Sequence, residues 1–391
     1  MAEPPEQPRF VVAGNALTLL DTGRRRLRAL IELIDGAERS LRLLYYIYED
    51  DAAGRTVGDA LVRAAARGVV VSLIVDGLGS EAAARGGFFD RLGEQGVRIC
   101  RFVPRFGRKY LLRNHQKLAL ADEVRVIIGG FNIKADYFGT PGEDGEAWRD
   151  LGLLVEGPAA ARLAGYYDAL ERWTRRPKAR VRALNRLLRS WSEHEGRVRW
   201  LLGGPTRRLS PWARVVRYEL KRARDVGLIA AYFAPGPAML RRLSRAARRG
   251  GRVRIVLPSI TDNYMSIWAA RFTYAGLLRR GAAIYEYQPT KLHTKLAVID
   301  DVVHIGSANF DMRSLFLNLE MMLRIDDAAF AAHVRAYLDG EVAASQQVTE
   351  GVHRARTTPW RRISQAAAYF VMAVLDPTVS RTLPFWGEPE N

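Results

Sequence analysis

His115-Gln-Lys117-Leu-Ala-Leu-Ala-Asp122 and His293-Thr-Lys295-Leu-Ala-Val-Ile-Asp300 are two copies of one word, His-x-Lys-x-x-x-x-Asp, set far apart in a single chain. Each runs through apolar residues to a small-small-x-Asn ending: Gly129-Gly130-Phe-Asn132 in the first copy and Gly306-Ser307-Ala-Asn309 in the second. On a strand successive side chains alternate faces, so the His and Lys of each word point the same way while Gln116 and Thr294 point into the opposite layer. Asp122-Glu123 and Asp300-Asp301 read as turns, after which Val124-Arg-Val-Ile-Ile and Val302-Val-His-Ile return toward the small residues. Each word is thus expected to fold as a hairpin that brings His, Lys and Asn together. Five residues separate Asp300 from Gly306 where six separate Asp122 from Gly129, so the second turn is expected to be one residue shorter.

Working outward, the surrounding sequence repeats as well. Ser40-Leu-Arg-Leu-Leu-Tyr-Tyr-Ile, a helical stretch around Ala60-Leu-Val-Arg-Ala-Ala-Ala-Arg-Gly and the apolar Val69-Val-Val-Ser-Leu-Ile-Val-Asp are matched in order by Val226-Gly-Leu-Ile-Ala-Ala-Tyr-Phe, Leu243-Ser-Arg-Ala-Ala-Arg-Arg-Gly and Arg252-Val-Arg-Ile-Val-Leu-Pro. Leu92-Gly-Glu-Gln-Gly-Val-Arg-Ile and Leu277-Leu-Arg-Arg-Gly-Ala-Ala-Ile then precede their respective words. Strands alternating with helices predict an α/β unit in each half, with helices covering both faces of a sheet. The expected fold is α/β, a pseudo-dimer within one chain. Its parts are a first domain over 1–171, a basic linker over 172–204, a second domain over 205–345 and a C-terminal basic and apolar segment over 346–391.

A chain of 391 residues that is 48% hydrophobic buries a large core, and its net charge of +18 implies an anionic partner: nucleic acid, an anionic membrane or a phosphorylated substrate. The single cysteine, Cys100, excludes an intrachain disulfide and reads as a small core residue. Met1 to Pro8 lacks the features of a signal peptide, and no apolar run reaches bilayer-spanning length. Ala366 to Leu375, flanked by Arg361-Arg362 and followed by Leu383-Pro384-Phe385-Trp386, reads as a helix that either packs on the body or lies in a membrane interface. Arg172 to Arg189 is arginine-dense, with Leu184, Leu187 and Leu188 as an apolar stripe, and reads as a linker or surface helix that offers a solvated face or a contact for anionic headgroups.

Two imidazoles, two ammonium groups and two amides in one place make a phosphate-handling site, and no Cys/His cluster or Gly-rich nucleotide loop is present, so no metal or other cofactor is expected. The lysines Lys117 and Lys295 neutralise a phosphodiester's charge. A neutral imidazole attacks phosphorus, and a protonated one donates to the leaving alkoxide. Gly130 and Ser307 are expected to leave room for the phosphate, with Asn132 and Asn309 beside it as substrate-binding amides. His194, His333 and His353 read as surface residues, and a local hydrogen bond or packing accounts for His304.

These residues resemble the phospholipase D superfamily, whose members share the duplicated His-x-Lys-x-x-x-x-Asp word, over roughly Leu41 to Glu320. Gly306-Ser-Ala-Asn-Phe-Asp-Met-Arg-Ser-Leu-Phe-Leu-Asn-Leu-Glu320 and Trp148-Arg-Asp-Leu-Gly-Leu-Leu-Val-Glu-Gly-Pro158 are similar to segments of the bacterial cardiolipin synthases, of a peripheral class without N-terminal transmembrane helices. The resemblance implies two phospholipase D-like α/β sandwich domains sharing one active site. In it His115, Lys117, Asp122, His293, Lys295 and Asp300 form the catalytic words, although the two aspartates at the turns read more naturally as holding the hairpins. It further implies a phosphohistidine on His115, His293 as acid and then base, and Asp150 and Glu320 as the carboxylates that orient the histidines.

The activity implied is transfer of a phosphatidyl group to the hydroxyl of phosphatidylglycerol at an anionic membrane, on its cytoplasmic face. Hydrolysis or headgroup exchange by the same intermediate is the alternative. A nuclease is a weaker one, because such enzymes are often one half that dimerises, so nucleic acid is not the expected partner. A membrane-bound scaffold with a dead site is weaker still, given that both words are intact.

Overall fold

The computed structural model describes residues 6–103, 112–139, 147–177, 179–206, 209–261 and 263–375. The first half builds an eight-stranded sheet from β1 (Phe10–Val12), β2 (Asn15–Leu20), β3 (Ser40–Tyr45), β4 (Val70–Asp76), β5 (Arg98–Phe102), β6 (Leu118–Ala121), β7 (Arg125–Gly129) and β8 (Gly152–Glu156). Their order is β1-β2-β8-β7-β6-β3-β4-β5. Parallel β3-β4-β5 comes from strand-helix-strand crossovers, and the antiparallel remainder grows from the β6–β7 hairpin.

The second half contributes β9 (Val198–Gly203), β10 (Asp225–Ala230), β11 (Phe233–Ala234), β12 (Arg252–Pro258), β13 (Ala283–Tyr287), β14 (Lys295–Ile299), β15 (Val302–Gly306), β16 (Phe310–Asp311), β17 (Glu320–Asp326) and β18 (Ser345–Val348). Its sheet runs β18-β13-β12-β10-β14-β15-β17-β9, while β11 and β16 pair separately. Strand for strand, β9-β17-β15-β14-β10-β12-β13 repeats β2-β8-β7-β6-β3-β4-β5, which is the duplication read from the sequence.

Helices α1 (Gly23–Asp35), α2 (Ala52–Ala66), α3 (Glu81–Arg85) and α4 (Phe88–Glu94) belong to the first half, and α5 (Pro158–Arg175) and α6 (Val181–Trp191) follow β8. The second half carries α7 (Pro211–Glu219), α8 (Pro237–Arg248), α9 (Tyr264–Leu278), α10 (Met312–Phe316), α11 (Ala328–Ala343), α12 (Glu350–Arg356) and α13 (Pro359–Phe370). Apolar side chains of α1, α2 and α4 cover the outer face of the first sheet, and those of α7, α8 and α9 cover the outer face of the second. Between the sheets lies one continuous core in which Leu163, Tyr166 and Leu170 of α5 and Phe330, Val334 and Leu338 of α11 pack with residues of both sheets. Burial of this shared layer fixes how the halves face each other, because exposing it would return a large apolar area to water.

Two expected domain bounds need correction. Residues 172–204, expected as a linker, hold the end of α5, all of α6 and β9. Val181, Leu184 and Leu188 of α6 are buried, while Arg182, Arg186 and Arg189 face solvent. The arginine density marks only the exposed side of an amphipathic helix. In the same way β18 extends the second sheet three residues past the expected boundary at 345, because its backbone completes the edge of β13. The C-terminal segment is helical through Phe370 and packs on α9, whereas Leu383 to Trp386 lie outside the described residues.

Cys100 is buried in β5. His194 is exposed, His333 and His353 are half-buried, and His304 is wholly buried with Nε2 2.7 Å from Glu219.

Candidate active site

Each word begins in an extended lead-in and enters its hairpin, β6–β7 or β14–β15, at the edge where the parallel strands end. Leu118 sits opposite Leu44 at the end of β3, and Lys295 opposite Ala230 at the end of β10. The turns differ in length as the spacing predicts: residues 122–124 in the first and 300–301 in the second. Asp122 and Glu123 adopt left-handed backbone at φ 52° and 64°, as does Asp300 at 48°, conformations that aspartate tolerates better than most residues.

Asp122 and Asp300 lie at the far end of the hairpins from the imidazoles, and this corrects their inclusion in the catalytic words. The Asp122 carboxylate accepts from the backbone N–H groups of Glu38, Arg39 and Ser40 at 2.8–2.9 Å. That of Asp300 accepts from Arg224 and Asp225, each at 2.9 Å. Both tie a hairpin turn to the start of the neighbouring parallel strand. They are spaced at a fixed interval from His because the strand between them has a fixed length.

The two lead-ins cross between the halves. The His115 N–H donates to the Leu319 carbonyl at 2.9 Å, and the His293 N–H donates to the Arg149 carbonyl at 2.7 Å. These crossings lay each histidine beside the other half's carboxylate. Glu320 approaches His115 Nδ1 at 3.0 Å, and Asp150 approaches His293 Nδ1 at 2.6 Å. A carboxylate on Nδ1 fixes the tautomer, leaves Nε2 for chemistry and stabilises the imidazolium. Gln116 and Thr294 point the opposite way, into the shared layer, where they meet Tyr166 at 2.8 Å and Tyr337 at 3.4 Å.

Lys117 Nζ donates to the His115 carbonyl at 2.6 Å and sits over the Tyr46 ring. Lys295 Nζ donates to the His293 carbonyl and lies 2.8 Å from His293 Nδ1. Burial lowers His115 below the ordinary imidazole value, against the pull of Glu320 and with a push from Lys117 and Lys295. Burial, and then the adjacent Lys295, push His293 down to about 3 despite Asp150. Burial opposes ionisation of Asp150, but His293, Lys295 and Arg26 outweigh it and hold the carboxyl below its usual range. Lys117 is likewise pushed well below an ordinary lysine, by burial first and in part by Lys295.

The small residues do not face an open volume. A Cβ on Gly130 would lie 2.5 Å from Asp150 Oδ1 and 2.9 Å from Lys295 Cδ, so the missing side chain makes room for the carboxylate behind His293. At the equivalent place Ser307 donates to Glu320 Oε2 at 2.5 Å, and Ser314 donates to Oε1 at 2.8 Å. The expectation that Gly130 and Ser307 cradle phosphate is therefore corrected: they fit the two carboxylates. Asn132 is also occupied, accepting from the Ile47 N–H at 3.0 Å and donating to the Tyr137 hydroxyl at 3.0 Å. Asn309 is buried with its N–H on Ser314 and its Oδ1 without a hydrogen bond, so of the two amides only this one keeps an acceptor to offer.

Several residues of the site carry no signal in the repeat. Tyr137 and Trp148 pack against the His293 ring at 5.1 and 5.3 Å, and Tyr46 packs against His115 at 5.1 Å. Arg26, buried in α1, donates to the carbonyls of Asp150 and Tyr137 and so holds the strand that presents Asp150. Ser314 lies inside the Asn-Phe-Asp-Met-Arg-Ser stretch, where the signal was available but had no role attached. Asp311 caps α10 through the Ser314 N–H at 2.9 Å, and burial raises its carboxyl to about 6.

The family model described as "Cardiolipin synthase, PLD-like domain" matches residues 30–164 and 216–341. The chain is 30% identical over 345 residues to cardiolipin synthase A of Pseudomonas syringae pv. syringae strain B728a, covering 86% of this chain and 71% of that protein. It is 31% identical over 347 residues to cardiolipin synthase A of Pseudomonas entomophila strain L48, with the same coverage of 86% and 71%. Its fold is similar to that of phosphatidylserine synthase from Haemophilus influenzae Rd KW20, with a TM-score of 0.69 at 13% identity over 94% of this chain and 95% of that one.

Proposed function

The chain belongs to the phospholipase D-like family described as cardiolipin synthase, and we propose from this that it is a phosphatidyltransferase that makes cardiolipin from phosphatidylglycerol. The observation that carries the reading is the crossed pairing of two imidazoles with two carboxylates, flanked by Lys117 and Lys295.

In the first step His115 Nε2 attacks the phosphorus of a donor phospholipid. A P–N bond forms, the P–O bond to the headgroup alcohol breaks, and His293 Nε2–H protonates the departing oxygen. In the second step His293, now neutral, takes the proton of a glycerol hydroxyl of phosphatidylglycerol. That oxygen attacks phosphorus, and the P–N bond to His115 breaks.

The two carboxylates differ in a way that suits this division. Asp150 makes a short contact to His293 and accepts from the Leu151 N–H, which places its charge beside the ring that must gain and lose a proton. Glu320 shares its charge among His115, Ser307 and Ser314, which favours a His115 ring left neutral for attack. An anionic phosphodiester beside the lysines offsets their push on both imidazoles and raises His293 toward protonation. Water exclusion then decides transfer against hydrolysis.

The test is product analysis with purified protein and labelled phosphatidylglycerol in vesicles, with and without phosphatidylethanolamine. Cardiolipin with release of glycerol is expected, with an acid-labile phosphoryl-enzyme that is lost in His115→Ala. Phosphatidic acid without cardiolipin would overturn the synthase reading.

A further inference from the structure

Helices α9 and α13 pack against each other on the outer side of the second sheet, with Phe272 and Tyr369 stacked at 4.9 Å. On α13, Gln365, Ala368 and Tyr369 turn inward, while Trp360, Ile363, Ala367 and Phe370 are exposed. Steps of three and four residues put these four on one stripe, headed by a Trp360 that is 80% exposed. On α9, Tyr264, Met265, Trp268 and Phe272 form a second exposed stripe. Among the described residues no other element covers either one.

A water-facing surface seldom gathers this many large apolar side chains in one place. The rim of the ridge is cationic. Arg361 and Arg362 are exposed on α13, and a cavity of about 770 Å³ beside the ridge is lined by Arg241, Arg245, Arg279 and Arg354. Aromatic and aliphatic side chains in the middle with arginines around them match the acyl boundary and phosphate layer of an anionic bilayer.

The topology ties this surface to the chemistry. Strand β12 leaves the sheet at Pro258, on the edge where β10 ends opposite Lys295, and α9 starts from that edge at Tyr264. The aromatic end of α9 is therefore at the same end of the domain as His293.

We propose that the α9–α13 ridge is the surface by which this protein lies in the headgroup region of an anionic phospholipid bilayer, with the catalytic edge turned toward it. The proposal rests on the phosphatidyl-transfer reading above, because a lipid-consuming site gains its substrate from the same surface.

The experiment uses the full chain and vesicles of phosphatidylcholine with or without phosphatidylglycerol, read by co-sedimentation and tryptophan fluorescence. Wild type is expected to bind the phosphatidylglycerol vesicles with a blue shift and to bind pure phosphatidylcholine weakly. Trp360→Ser combined with Ile363→Ser should weaken binding at least tenfold, and Arg361→Gln with Arg362→Gln should weaken it roughly fivefold per arginine at low salt. Both variants should turn over a water-soluble short-chain phosphatidylglycerol as wild type does. His115→Ala should bind vesicles fully and make no product, which separates the docking surface from the chemistry.

Unchanged vesicle binding in the Trp360/Ile363 variant overturns the proposal while leaving the enzymatic reading intact. Loss of short-chain turnover in that variant overturns it too, since the ridge would then support the fold rather than dock. A wild-type dimer that the variant converts to monomer, without vesicle binding by either, assigns the ridge to a second copy and also refutes it.

Discussion

Replacing Gly130 by alanine adds one methyl group behind the catalytic edge, and the structure says where it goes. The new Cβ would stand 2.5 Å from Asp150 Oδ1, 2.9 Å from Oδ2 and 2.9 Å from Lys295 Cδ, against an ordinary contact of 3.4–4 Å. The strand pairing of Gly129 with Gly152 leaves the backbone little freedom, so the carboxylate must move instead. A retreat of roughly 1 Å takes the 2.6 Å contact to His293 outside hydrogen-bonding range. A hydrogen bond to a charged group contributes about 1.5–3 kcal/mol, so kcat should fall about 10- to 150-fold with little change in KM. Overpacking should also cost about 1–3 kcal/mol of stability.

The assay is steady-state cardiolipin formation alongside a urea denaturation curve. Asp150→Asn, which removes the charge without adding an atom, covers the case in which Gly130→Ala does not fold, and should lose a similar factor. A folded Gly130→Ala enzyme with kcat within twofold of wild type would refute the argument that Asp150 must touch His293.

Glu320→Gln removes the charge that raises His115 and should lower kcat about 10- to 100-fold by the same hydrogen-bond reasoning, with the His115 resonance in an NMR titration moving to more acid pH; an unmoved resonance would break the assigned pairing. Because His115 and His293 are held below their ordinary value when folded, the unfolded chain binds more protons once pH drops below about 6.5. Stability should then fall from pH 7 to 5, by up to about 1.4 kcal/mol per pH unit for each imidazole; a denaturation midpoint that rises on acidification contradicts this. Asp122→Ala should lower stability by about 1–3 kcal/mol, because three backbone N–H groups lose their acceptor. Its kcat should stay within twofold of wild type, and a large kcat loss in a stable variant would return Asp122 to the chemistry.

Much of this was legible because it is local. The alternation of Gln116 and Thr294 against the His and Lys beside them follows from strand geometry, and the shorter second turn follows from counting residues between Asp300 and Gly306. The repeat of strand and helix blocks gave the two sheets their common order, since each block is one supersecondary unit with its own hydrophobic period. The turn positions of Asp122 and Asp300 already pointed to holding the hairpins, and a strand keeps them at a constant distance from His. Small size read as substrate space misled, because Gly130 is small where a carboxylate stands behind it. The linker bound was misplaced because residues 198–203 form β9, and its place at the edge of the second sheet is set by pairing with β17 rather than by any local pattern.

The sequence by itself determined the duplication, the hairpins and the set of groups available to handle a phosphodiester, because all of these are written in residue order and spacing. Which carboxylate serves which histidine was decided only by tertiary structure. Asp150 meets His293 across 143 residues and Glu320 meets His115 across 205, each pair bridging the two halves. No periodicity records that crossing. It follows from burying α5 and α11 between two sheets, which sets the halves face to face and lets the end of each lead-in pass beside the other half's strand.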